Sequence, residues 1–328
     1  MAKYIAKRIL YMIFVAFIMT FVLFFLFNLV PGDPARAEVE AMKELLTPEE
    51  YLYRYQQARE RLGLDDPLIK RYGKWLKNTL EGDLGQSYAY KQPVTEVIKA
   101  PLRNTIFLNV FVVAAVLLIT IPLGIKCAIK QNSAFDKTIQ VLTVIGYSLP
   151  VFIIALIFIF IFAVKLRWFP VSGMRTPNFK GTAFQAFLDT MHHLALPLII
   201  LIIGSLAGVT RHVRAAMIDA LSMDYIKTAR AKGLEEKVVI YSHAWRNALL
   251  PVITLIIGWI ASVFSGSIIT ESMFNLHGMG KFYIDALHKQ DWNVALAIQM
   301  FYIVITLVSY LITDITYGFV DPRVKVDQ

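Results

Sequence analysis

Apolar residues lie along this chain in long unbroken blocks, without the alternation of a half-buried strand or the rhythm of a surface helix. The first block, Ile9 to Val30, holds no charged side chain. At ~1.5 Å per residue, a helix of that length crosses a hydrocarbon core of roughly 30 Å. Further blocks run from about Thr105 to Ile125, Thr138 to Val164, Leu194 to Thr210, Leu249 to Thr270 and Val294 to Thr313. The pattern predicts an all-α integral membrane protein with six transmembrane helices. A secretory leader is the competing reading of the first block, because Lys7 and Arg8 precede it and Ala35-Arg36-Ala37 follows it. Leader cores run only about 7 to 15 residues, so the block is read as a retained anchor.

The organisation expected from these blocks is a cytoplasmic N-terminus and first helix over 1–30, an extracytoplasmic helical segment over 31–103, and a five-helix core over 104–320. The core contains a polar loop at 211–248, and a cytoplasmic tail follows at 321–328. Composition fits the picture: 57% of the 328 residues are apolar, and the net charge is +9. Arg211, Arg214, Lys227, Arg230, Lys232, Lys237 and Arg246 gather in one loop, and Lys126, Lys130 and Lys137 in another. The two short loops on the other side hold only Lys165, Arg167, Arg175, Lys180, Lys281 and Lys289, while the twelve basic residues of the long 31–103 segment are matched there by twelve acidic ones. The positive-inside rule then places both termini and the 211–248 loop in the cytoplasm of a multi-pass membrane protein. The positive charge is topological and calls for no nucleic acid.

In the 31–103 segment, Thr47 as N-cap, Pro48 at the first helical position and Glu49 and Glu50 in the first turn predict a helix ended by Gly63. An amphipathic piece over about 67–80 carries Leu68, Ile69, Tyr72, Trp75 and Leu76. It reads equally as a cap over the outer mouth and as a docking surface. In the third block, Gly146 to Pro150 ("GYSLP") sets a proline in mid-membrane, which makes a kink that is either static or a hinge. Gly204 with Gly208, and Gly258 and Ser262 with Gly266, form small-residue faces suited to close helix approach. Asp314 lies near the inner end of the last block, where snorkelling or a local hydrogen bond is expected.

Candidate covalent chemistry is sparse. His192-His193 reads as a solvated pair, and no HExxH pattern occurs. "HGMGKF" at His277 to Phe282 lacks the glycine and the Ser/Thr of a phosphate loop, with Asn275 and Phe282 in their places. Cys127 is the only cysteine, so no internal disulfide and no thiolate cluster can form. The chain is therefore not expected to be an enzyme, to need a metal or to carry a cofactor. Uphill transport would draw its energy from another subunit, and a self-contained channel or secondary carrier is the alternative in a different class.

The polar loop reads as a helix over Met223 to Lys232, a left-handed turn at Gly233 and a second helix opened by Glu235 and Glu236, with Pro251 marking entry to the fifth block. Tyr225, Ala229 and Lys232 are expected on one face of the first helix, and Val238, Tyr241 and Trp245 on one face of the second. Two roles stay open on this reading: docking another protein, or lying on headgroups as an amphipathic connector.

"YIKTARAKGL" followed by "RNALLP" resembles the EAA loop of ABC importer permeases in the form found in the peptide/nickel family. Lys227, Thr228 and Ala229 stand where the general pattern has Glu-Ala-Ala. "PGDP", "GLDDP", "GDLGQS", "GYSLP", "TESMFNLHGMG" and "DITYGFVDPR" follow in the order of that family's first permease subunit, with His277 in place of the usual proline. The resemblance implies a type I importer bundle forming half of a path for peptides. It also implies a homologous second permease, two ABC ATPase subunits and an extracytoplasmic solute-binding protein as partners, in the lipid of a bacterial or archaeal cytoplasmic membrane. Nickel chelates, oligosaccharides or glutathione are the alternative cargoes. The coupling residues it implies are Tyr225, Thr228, Ala229, Arg230, Ala231, Lys232 and Gly233. Gly146, Pro150, Gly258 and Gly266 are the expected hinge or path positions.

Overall fold

A computed structural model describes residues 2–30, 32–40 and 43–320; Pro31 of the "PGDP" turn and the expected tail 321–328 lie outside the described residues. The helices are α1 (Ala2–Leu29), α2 (Pro34–Glu40), α3 (Pro48–Leu62), α4 (Leu68–Leu80), the short α5 (Val94–Val97), α6 (Lys99–Ile129), α7 (Ala134–Ser148) and α8 (Val151–Phe158). They continue with α9 (Ala183–Ser222), α10 (Asp224–Ala231), α11 (Glu236–Val238), α12 (Arg246–Ser262), α13 (Ile268–Met273), α14 (Met279–His288) and α15 (Trp292–Val320). Among the described residues the only β pairing is an isolated bridge between Gln86 and Pro93.

Among the described residues, five stretches are long and apolar enough to cross a membrane: Ile5–Leu29, Val94–Ile129, Ala183–Ser222, Glu236–Ser262 and Trp292–Tyr317. The remaining expected span is not one kinked helix. It is two arms, Ala134–Ser148 and Val151–Lys165, that meet at 96°. Leu149 is extended, with ψ 125°, because the ring of Pro150 disfavours helical geometry in the residue before it. A π-helical turn over Ile159–Lys165 finishes the second arm.

The fifth span also ends early, at Ser262 and not at Thr270. The backbone leaves the helix and passes against α14 so closely that a Cβ on Gly266 would sit 2.1 Å from the Gly280 nitrogen. Gly266 is therefore a contact point outside the helix, not part of a face shared with Gly258. Irregular backbone at membrane depth needs protein partners. Asn109 of α6 supplies them, donating from Nδ2 to the carbonyls of Ser262 at 3.2 Å, Val263 at 3.3 Å and Ser265 at 2.7 Å.

The core is centred on α6 and α9. Gly124 lets the two meet: a Cβ there would fall 2.7 Å from the Val213 Cβ. Around that contact Val112, Val116, Val209, Val213 and Met217 form a buried cluster that extends to Ile226, Val239 and Ala244 of the polar loop. A second cluster joins α6, α8, α9 and α13 through Leu108, Ile154, Leu194, Ile200 and Phe274.

In the segment after α1, helix α3 follows its sequence signals. The Thr47 hydroxyl accepts from the Glu50 N–H, the Glu50 carboxylate accepts from the Thr47 N–H, and Gly63 closes the helix at φ +62°. Helix α4 lies along α1. Tyr72 is buried against Phe17, Phe21 and Phe24, and its hydroxyl meets that of Thr20 at 3.0 Å. Ile69, expected on the same apolar face, is 77% exposed. Asp314 finds its partner across the bundle in Arg8, so an ion pair fastens α15 to α1.

Candidate coupling elbow and path elements

The elbow begins where α9 ends, at Met223, which is extended at ψ 152°. Helix α10 is short because Gly233 terminates it. The Gly233 N–H donates to the Arg230 carbonyl at 2.9 Å and the Leu234 N–H to the Ala229 carbonyl at 3.3 Å. Together with φ +76° at Gly233, this is the Schellman arrangement, which favours glycine at that position. No atom lies within 4 Å of where a Gly233 Cβ would stand, so the requirement for glycine there is conformational, not steric. The turn is braced by Arg230, whose Nε and Nη2 donate to the Glu236 carboxylate at 3.1 and 2.6 Å. Lys227 pairs with Asp224 at 2.8 Å, and the Thr228 hydroxyl donates to the Asp224 carbonyl at 3.1 Å.

The expected second helix is not a separate unit. Helix α11 runs through a π-helical turn, Val239–Trp245, directly into α12, and Pro251 lies inside α12 and not at its entrance. The second half of the elbow, from Glu236, and the fifth span are thus one continuous helical run, to which α10 is joined through the Gly233 turn.

The expected face of α10 is divided. Ala229 is buried and turns inward beside Ile226, onto the cluster that holds Val239, Ile240 and Ala244. Tyr225, Thr228, Arg230, Ala231, Lys232 and Gly233 are exposed. On the following turns Val238 and Tyr241 are exposed, whereas Trp245 packs against the cluster, so these three do not form one face either. The inner side of α10 is joined to the α9 and α12 spans, and the outer side is bare.

Of the expected hinge positions, Gly146 and Pro150 flank the 96° break. A Cβ on Gly146 would approach only the Ile203 carbonyl, at 3.8 Å. Gly258 is exposed on α12 with open space around it, whereas Gly266 is locked against Gly280. His192 and His193 are not a solvated pair. His193 is buried with Nδ1 2.9 Å from the Asp189 carbonyl, and Nε2 of His192 lies 2.8 Å from the Trp168 carbonyl.

Three polar anchors escaped the reading of the sequence. Asp136 at the start of α7 is fully buried and accepts two bonds of 2.7 Å from Arg214 of α9, a two-pronged pair that ties the broken span to the elbow's base. Glu271 is 1% exposed; it accepts from the Thr105 hydroxyl at 3.0 Å and from the Lys281 N–H at 2.9 Å, capping α14 from a distance. Asp291 accepts from the Ser87 hydroxyl at 2.5 Å and the Ala89 N–H at 3.1 Å, and so ties the 31–103 segment to the start of α15. Glu271 and Gly278 lie in the "TESMFNLHGMG" run, and the carboxylate fills the space that a Cβ on Gly278 would need. A lone acid in an apolar run was the available signal for Glu271. For Asp136 and Arg214 there was none.

Membrane-length helices, one broken span and a polar elbow whose second half is continuous with the fifth span define a multi-span transport permease. The chain belongs to the binding-protein-dependent transport system inner membrane component family, whose profile matches residues 120–326, while the N-terminal profile of the same systems matches residues 1–122. It is 39% identical over 326 residues to the oligopeptide transport system permease protein AppB of Bacillus subtilis (strain 168), covering 99% of this chain and 100% of that one. It is 34% identical over 339 residues to the dipeptide transport system permease protein DppB of Alkalihalophilus pseudofirmus, and 32% over 326 residues to the oligopeptide transport system permease protein OppB of Haemophilus influenzae. Each of these alignments covers 99% of this chain and 100% of the relative. The chain is a permease subunit of an ABC importer and not an enzyme; ATP hydrolysis belongs to partner subunits.

Proposed function

We propose that this chain forms half of a peptide translocation path and that the exposed side of α10 seats in one of two cytoplasmic ATPase subunits. A homologous second permease supplies the other half of the path, and an extracytoplasmic solute-binding protein delivers the cargo to the side carrying residues 31–103. The basic residues of the elbow and of the α6–α7 loop favour placing that side of the bundle, and both termini, in the cytoplasm. Peptide cargo follows the names of the similar permeases.

The observation that carries the coupling role is the split of α10. A bare polar face backed by a buried face continuous with two spans is what a lever needs, since force applied outside reaches the bundle without being absorbed locally. ATP binding would bias the bundle between two arrangements through different contacts at this face. Pro150 and Gly146, at the break, and Gly258, on the open side of α12, are the positions at which the path would change shape.

The test is Gly233→Val. A β-branched residue in the left-handed region costs roughly 1–2 kcal/mol, too little to unfold the bundle but enough to move the end of α10. Uptake of labelled peptide by whole cells should fall to background while the amount of chain in the membrane stays normal, and Gly233→Asn, which tolerates this conformation, should retain substantial uptake. Normal uptake in the valine variant would overturn the coupling role.

A further inference from the structure

We propose that the cleft between α4, the end of α1 and the start of α15 seats the phosphate headgroup of an anionic phospholipid, with Arg71 as its main ligand. The cleft has a volume of about 470 Å³. Arg71 lines it, is half-buried, and has no hydrogen-bond or ion-pair partner among the described residues. Burial depresses its basicity, and the only influences acting the other way are the more distant Tyr88 and Asp66. A partly desolvated guanidinium without a counter-charge is costly, so the site is incomplete as it stands.

The neighbouring charges cannot complete it. Asp66 already accepts from Lys70 at 2.8 Å and Lys74 at 3.0 Å, Asp65 holds Arg59 at 2.5 Å, and Glu38 holds Arg61. Of the carboxylates that line the cleft itself, Asp33 accepts from Tyr55 and Arg59, and Asp83 accepts from the Gly85 N–H at 2.8 Å; neither pairs with Arg71. The cleft's far wall offers the side-chain amide of Asn78 and the Tyr88 hydroxyl, whose pKa burial and the Asp291 charge push up to about 12, so that it stays protonated; the Asn293 amide already donates to the Gln86 carbonyl at 2.9 Å. A phosphodiester meets both the charge and the fork geometry of arginine.

The surroundings favour a lipid over a soluble anion. The floor is aromatic, with Phe24 against Trp75 at 5.4 Å and Phe27 against Trp292 at 5.8 Å, all in the last turns of α1 or on the elements facing them. Such rings collect at headgroup depth. Beside the cleft, α1 leaves Phe21 and Phe25 exposed, which provides a track for an acyl chain running down from a headgroup bound at Arg71.

The experiment uses the full chain, purified with its partner subunits from vesicles of equal phosphatidylglycerol and phosphatidylcholine, with bound lipid counted by native mass spectrometry. Phosphatidylglycerol should be retained preferentially, and Arg71→Gln should lower that preference roughly five- to tenfold, with Arg71→Lys in between. Because Arg71 holds no internal partner among the described residues, the melting midpoint of Arg71→Gln in lipid-free detergent should match the parent. Equal retention of the two lipids by the parent protein, or unchanged phosphatidylglycerol retention in Arg71→Gln, would overturn the proposal. So would displacement of the lipid by glycerol phosphate at comparable concentration, which would point to a soluble anion. An Arg71→Gln defect seen only when the solute-binding protein is added would assign the charge to that partner and would equally overturn it.

Discussion

At the elbow end, one of the ion pairs that join separate spans is sealed inside: the Asp136 carboxylate is fully buried and the Arg214 side chain is only 18% exposed, whereas the Arg8–Asp314 pair between α1 and α15 leaves Arg8 43% exposed. At the opposite end, the 31–103 segment carries exposed ion pairs of its own, such as Lys70 and Lys74 on Asp66, and meets the bundle through the Tyr72–Thr20 hydroxyl contact and the latch from Asp291 to Ser87. The two designs respond differently to stress. Exposed pairs are screened and exchange partners at little cost, whereas a buried pair is either made or broken. Under the proposed coupling role, an end that transmits movement gains from the second kind, and an end that meets a delivering partner is served by the first. The packing agrees: α10 rests on the cluster that unites α6, α9 and α12, while α4 touches the bundle chiefly through α1.

The sharpest way to break this contrast is Asp136→Ala. Removing one member of a buried pair strands the other and costs about 3–5 kcal/mol. A large drop in the melting midpoint of detergent-purified protein is therefore expected, with partial recovery when Asp136→Arg is combined with Arg214→Asp. A midpoint unchanged by Asp136→Ala would remove the distinction between the two ends.

A smaller effect is expected at the opposite end, where Asp33 ties α2 to α3. Burial pushes its carboxyl up, but the Tyr55 hydroxyl, the backbone N–H groups of Arg36 and Ala35, and the Arg59 charge outweigh that and hold it below its ordinary 3.8. A depressed carboxylate contributes stability above its unfolded pKa and loses it as pH falls through the folded value. Protection of residues 43–65 from limited proteolysis should therefore stay level from neutral pH down to the ordinary aspartate range. It should fail only below that range, and Asp33→Asn should weaken protection at neutral pH. Loss of protection already near pH 6 would assign the fastening to another group.

Local features of the fold were legible in the sequence because their causes are local. Thr47, Pro48 and Gly63 delimit α3 through contacts a few residues apart, and Gly233 ends α10 for the same reason. The 96° break was visible only as a proline, since its size depends on α8 packing against α9 and α13. The early end of α12 was hidden because apolar residues continue past Ser262 through Val263 and Phe264 to Ile269. What stops the helix is the Gly266–Gly280 backbone contact and the Asn109 side chain, the latter more than 150 residues away in sequence. Helix α10 was recognised by its motif, but which of its residues face inward was not, because i, i+4 spacing defines a face without saying what lies opposite. Ala229 looked like part of a docking surface for its small size, and that same size lets it enter the core.

The account's central claim, that the outer side of α10 grips an ATPase while its inner side is fixed to the bundle, is tested most directly by cysteine cross-linking in the assembled transporter. The native Cys127 is fully buried and contributes little background. The account predicts that Thr228→Cys forms a cross-link to an ATPase subunit, that the cross-linking rate changes when ATP is added, and that Ile226→Cys, at a fully buried position, forms none. A Thr228→Cys variant that never reaches an ATPase subunit, or that is labelled by a membrane-impermeant reagent from outside the cell, would contradict it.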